Sequence, residues 1–134
     1  MDTTKYIRIL AAIEFFLLLL YLATINYMES CLPKQLQDYL IIVAERDITT
    51  FEVGWLITIA PVFIVYLVSM IGLVFTKVWA KKFYIYSNVG LIILTLFAGP
   101  FVLHSLSYIL DSIIYVICGI TIGLLIFTKS AFTK

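Results

Sequence analysis

VGWLITIAPVFIVYLVSMIGLVFT, residues 53–76, contains no charged side chain. A helix needs about 20 predominantly apolar residues to cross the hydrocarbon of a bilayer, so this stretch is long enough to span. Outward from it lie three stretches of similar character: residues 6–28 before it, and residues 83–103 and 105–128 after it. The run from Ile9 to Ile25 is broken by a single charge, Glu14. Water-soluble bundles keep a polar face on every helix, and these stretches lack one. Composition agrees, because 63% of the 134 residues are hydrophobic and 13% charged, with a mean hydropathy of +1.12. A soluble domain sits far from such values. The expectation is an all-α membrane protein, a single domain over residues 1–134 with four transmembrane helices in the lipid bilayer.

Lys5 and Arg8 ahead of the first stretch give it the flanks of a secretory signal. Its apolar run is longer than a signal core, carries Glu14, and reaches Tyr27, Met28 and Glu29 without a small-x-small cleavage site, so it reads as a retained helix. Orientation follows from the basic residues, which stay on the cytoplasmic side. With four spans, Lys5, Arg8, Lys77, Lys81, Lys82, Lys129 and Lys134 fall on one side. The other side receives Lys34 and Arg46 among Glu29, Asp38, Glu45, Asp47 and Glu52. Both termini are thus expected in the cytoplasm, with the chain multi-pass in the inner (plasma) membrane and the acidic connection outside. Short connections elsewhere, Trp79 to Lys82 and Gly99-Pro100-containing, make neighbouring helices antiparallel and predict an up-down-up-down bundle.

The outer connection, Glu29 to Glu52, has room for structure of its own. After Pro33, the residues Leu36, Tyr39, Leu40 and Val43 recur at helical spacing, which predicts a short amphipathic helix over about 33–46 on the membrane surface. Thr49 and Glu52 then have the spacing of a capping box, at which the second span begins.

Within the spans, ionisable and polar groups are the candidates for function, since they are expensive in hydrocarbon unless paired or hydrated. Glu14 lies eight residues past Tyr6, about 12 Å along the helix. Tyr66, Ser69, Asn88 and Thr121 fall at similar depth on the other spans. If those faces turn inward, Glu14 accepts from the Asn88 amide and from a Tyr66 or Ser69 hydroxyl, or is protonated. Such a cluster reads as an interhelical polar clamp, as a proton- or cation-linked site, or as an acid that reaches cytoplasmic water. Asp111 is about 9 Å into the fourth span from the outer side, where it is hydrated or pairs with His104. His104 has no second His or Cys at matching spacing, so no metal site is expected. Cys31 and Cys118 lie at different depths and cannot approach within disulfide range.

Gly119 and Gly123 form a G-x-x-x-G that lets another backbone approach, within the bundle or from another copy, and Gly72 with Ser69 makes a smaller patch. No thiol pair, zinc motif, phosphate loop or nucleophile elbow is present, so neither an enzyme nor a cofactor is expected, and nothing points to nucleic acid.

A four-helix chain with a glutamate at the position of Glu14 resembles the small multidrug resistance transporters, a likeness that implies a shared proton and drug site on that residue. The long acidic connection, residues 29–52, departs from their compact plan, and their activity is not carried over. The C-terminal half, with Gly72, Trp79-Ala80-Lys81, Gly99-Pro100 and Phe127-Thr128-Lys129-Ser130, looks like that of small bacterial membrane proteins of unassigned function. The functional expectation is a polytopic protein that works through helix–helix contacts, with itself or another membrane protein, as an accessory subunit, scaffold or immunity-type partner. The alternative is a proton-coupled small-solute transporter or channel subunit centred on Glu14.

Overall fold

The computed structural model describes residues 3–98 and 103–127. The Gly99-Pro100 turn, Thr128, Lys129 and Lys134 fall outside the described residues. Five α-helices follow one another: α1 (Thr3–Ser30), α2 (Lys34–Glu45), α3 (Thr50–Val74), α4 (Val78–Thr95) and α5 (Ser105–Phe127). Among the described residues there is no strand. Among the described residues three helices, α1, α3 and α5, are long and apolar enough to cross a membrane. Their outward faces carry large apolar side chains, with Phe16 65%, Ile57 69% and Val116 62% exposed. Contiguous surfaces of that kind are rare on soluble monomers, which makes lipid their natural environment.

Burial along α1 recurs at Ile7, Ala11, Glu14 and Leu18, one face of a helix. That face meets α3 and α5, while α3 packs against α4 along its length. The α3–α4 pairing is antiparallel. Trp55 Nε1 donates to the Leu94 carbonyl at 2.9 Å near one end, Gly90 lies against Val62 in the middle, and Gly72 against Trp79 and Ala80 at the other end. The tightest packing lies toward the α3–α4 turn, where Ile7, Ala11, Met70, Leu73, Ala80, Tyr84 and Leu125 are buried.

Local chemistry sets the helix ends. Thr49 Oγ1 accepts from the Glu52 N–H at 3.3 Å and Glu52 Oε2 accepts from the Thr49 N–H at 2.8 Å, completing the capping box that opens α3. Arg46 also donates to the Glu52 carboxylate. Between α1 and α2, Gln37 Nε2 reaches back to the carbonyls of Ser30 and Leu32, at 2.9 and 2.6 Å. These carbonyls lack helical partners, and one side chain closes the turn.

At the other end of α3, the Lys77 N–H donates to Gly72 O and the Thr76 N–H to Leu73 O, both at 2.9 Å. This is a Schellman stop, with Thr76 at φ 55° in the left-handed position that usually holds Gly. The chain reverses so tightly that α4 begins at Val78, five residues before the stretch expected from the sequence. Lys81 and Lys82 therefore lie on the first turns of α4 instead of in a connection. A β-branched residue at positive φ is strained by about 1–2 kcal/mol. Thr76→Gly is accordingly expected to raise unfolding stability by about 1 kcal/mol, measured by denaturant titration in micelles; a loss of stability would show that the threonine side chain supplies more than it costs.

Candidate functional site: a buried glutamate held by two tyrosines

Glu14 is fully buried between α1, α3 and α4. Tyr66 on α3 donates its hydroxyl to Glu14 Oε1 at 2.6 Å, and Tyr84 on α4 donates to Oε2 at 2.6 Å. Both distances lie at the short end for O–H···O bonds, where the interaction is strong. The two rings also touch, with centroids 5.9 Å apart and planes tilted by 30°. A third ring, Phe63, lies 6.2 Å from Tyr66. One carboxyl thus ties three helices together through hydroxyls whose rings pack on one another.

The remaining buried polar groups form a second layer. Asn88 Nδ2 donates to the Tyr84 carbonyl at 2.8 Å, and its Oδ1 accepts from Cys118 Sγ at 3.0 Å, linking α4 to α5. Ser69 and Ser87 donate to the carbonyls of Tyr66 and Tyr84, at 2.7 and 3.1 Å. Thr121 donates to the Ile117 carbonyl on its own helix at 2.9 Å. Among the described residues, no buried side-chain nitrogen or oxygen lacks a partner, as the cost of orphaned polar groups in apolar surroundings requires.

Of the polar residues singled out in the sequence, the structure joins Tyr66 to Glu14. Ser69 and Asn88 lie nearby but bond to the backbone behind each tyrosine, and Thr121 bonds within α5. The tyrosine on α4 is the member that sequence reasoning missed. Its signal is the run Ala80, Tyr84, Ser87, Asn88, small and polar residues at helical spacing, which becomes visible once α4 is known to begin at Val78. Cys118 is buried and Cys31 exposed, and both are free thiols.

His104 stands just before α5 and its Nδ1 accepts from the Leu106 N–H at 3.2 Å, so it serves the helix end. No described bond joins it to Asp111, which is half-buried on the wall of a cavity of about 230 Å³. This cavity lies between α1, α3, α4 and α5. Tyr66, Asn88 and Cys118 form one end, while Asp111, Thr95 and Tyr21 line the other. Glu14 does not line it; Tyr66 stands between.

The three glycines singled out in the sequence for helix packing differ. A Cβ on Gly72 would lie 2.7 Å from Ala80 Cβ and 2.8 Å from the Trp79 ring, whereas a Cβ on Gly119 or Gly123 would meet nothing within 4 Å. Gly72 permits the α3–α4 approach, and the G-x-x-x-G of α5 faces away from the bundle. Among the described residues there is no group of three His, Cys, Asp or Glu able to hold a metal ion. Comparison with protein-family models, curated proteins and solved structures yielded no match.

Proposed function

We propose that this chain is a small multi-pass membrane protein that acts through helix–helix contacts, assembling with copies of itself or with another membrane protein as a scaffold, accessory subunit or immunity-type partner. The observation that carries this reading is the open face of α5. A Cβ on Gly119 or Gly123, one turn apart, would meet nothing within 4 Å among the described residues, and in lipid a pair of small residues is where another helix backbone approaches. Ser112 and Val116 extend the same face. The enclosure of Glu14 supports it too: a carboxyl with both oxygens occupied by tyrosines has the character of a packing clamp. No enzymatic activity is part of the proposal.

In this reading α4 is a fourth span. Its 18 residues extend about 27 Å, and its antiparallel pairing with α3 carries it back across the same thickness. An up-down-up-down bundle in the inner membrane follows, with both termini cytoplasmic and α2 on the outer surface, its Ile41 and Ile42 toward lipid. A tag at Asp38 should be labelled from outside, and a cytoplasm-dependent reporter after Lys134 should be active; the reverse pattern would overturn the orientation.

The assembly itself is tested by energy transfer between labelled copies diluted in lipid vesicles. Wild-type protein should associate beyond random encounter. Gly119→Ile with Gly123→Ile should lower association by about ten-fold, or 1.4 kcal/mol, without loss of fold, because Ile is the better helix former at an open position. Random mixing of the wild-type chain would remove self-assembly.

A second reading, a proton-coupled small-solute transporter or channel subunit centred on Glu14, is favoured by one observation: the cavity ends on Tyr66, whose hydroxyl holds that carboxyl. Proton movement into vesicles that Glu14→Gln abolishes would establish it in place of the first.

A further inference from the structure

The cavity between α1, α3, α4 and α5 has a half-buried carboxyl on its wall, Asp111. Asp111 is the seventh residue of α5, about 9 Å along the helix from Ser105. Among the described residues it takes part in no hydrogen bond and no ion pair. Glu14, one layer deeper, has a donor on each oxygen. An acidic group in an apolar span normally faces a partner or a water-filled cavity, and the carboxyl of Asp111 is free to meet a cationic group that enters the cavity it lines.

The walls define what that partner is. Phe63, Tyr66 and Tyr115 line the cavity, with aliphatic side chains between them. The carboxylate attracts positive charge, aromatic faces attract it as well, and the aliphatic lining favours an apolar body. A bare metal ion is poorly served, since a hard cation takes six or more oxygen ligands and no acidic or His/Cys cluster is described here. Dimensions narrow the class further. The volume is about 230 Å³, and the seven residues from Asp111 to Cys118 cover about 10 Å, which suits an elongated molecule smaller than a typical drug.

We propose that this cavity binds a small organic cation, an alkyl- or arylalkylammonium, with its nitrogen at Asp111 and its apolar body against Phe63 and Tyr66. The site is separate from the open face of α5, so binding does not depend on assembly. It uses a different carboxyl from the clamp.

Calorimetric titration of the full chain in micelles with phenethyltrimethylammonium, corrected with protein-free micelles, tests this. Saturable binding is expected, weakened about ten-fold or more in Asp111→Asn by loss of the charge partner. Ile59→Trp, which keeps the carboxylate and fills the cavity from α3, should abolish binding, and it carries the test should Asp111→Asn fail to fold by circular dichroism. The anion 4-phenylbutyrate, of similar size, should not bind. No saturable binding by the wild-type chain, equal affinity in a folded Asp111→Asn, unchanged affinity in Ile59→Trp, or equal binding of the anion would each overturn the proposal.

Discussion

Replacing both Tyr66 and Tyr84 with Phe is expected to destabilise the bundle by about 3–5 kcal/mol, the cost of leaving a buried ionisable group without partners. Each single replacement removes one of two donors from Glu14 and should cost about 1–3 kcal/mol. The two tyrosines share one acceptor and touch each other, with ring centroids 5.9 Å apart. Their effects should therefore be non-additive. Glu14→Gln should be tolerated, because an amide both accepts and donates and a tyrosine hydroxyl does the same. Adding Glu14→Leu to the double Phe variant should recover most of the lost stability, since a well-packed apolar cluster replaces the polar one. Unfolding of all variants in mixed micelles provides the comparison. If the double Phe variant matched the wild type, the tyrosines would not be what holds Glu14.

The second large effect is expected at Gly72. A methyl group there would enter contact at 2.7 Å with Ala80 Cβ and 2.8 Å with the Trp79 ring, and Ala80 is buried on the first turns of α4. Trp79 is partly exposed and can swing aside, but Ala80 moves only with the backbone. Gly72→Ala should cost about 1–3 kcal/mol, the usual range for overpacking, despite the gain in helix propensity. At Gly119 the same substitution meets open space and should be neutral or stabilising by up to about 1 kcal/mol in the monomer. Thermal or denaturant midpoints of the two variants in micelles distinguish these environments, and equal midpoints would mean that α3 and α4 do not approach as described.

Much of this was legible in the sequence, and the limits have physical causes. Apolar runs located α1, α3 and α5 because bilayer-length hydrophobic segments are a strong signal. The amphipathic spacing after Pro33 and the Thr49/Glu52 pair located α2 and the start of α3, both local patterns. Counting depth brought Tyr66 to the level of Glu14. The same count did not find Tyr84, because its helix was expected to begin at Phe83, with Lys81 and Lys82 in a connection. The reversal that shifts α4 relies on Thr76 at positive φ, and threonine there carries no sequence signature for such a turn. Asn88 was expected to donate to Glu14; with Tyr84 one turn earlier already filling that place, its amide bonds to the Tyr84 carbonyl instead. Spacing revealed the Gly119/Gly123 motif but not its direction, which depends on which face of α5 meets α1. The cavity beside Asp111 is a product of four helices together and has no linear trace.

Disulfide trapping in vesicles tests contact through the open face of α5 most directly. In a background of Cys31→Ser and Cys118→Ala, Ser112→Cys on the Gly119/Gly123 side should cross-link copies rapidly under mild oxidation. Ile114→Cys, whose position faces the bundle interior, and Ile57→Cys on the lipid side of α3 should remain largely monomeric. Dominant cross-linking at position 112, reduced by Gly119→Ile with Gly123→Ile, is the predicted result. Cross-linking at 112 no faster than at 57 or 114 would contradict assembly through this face.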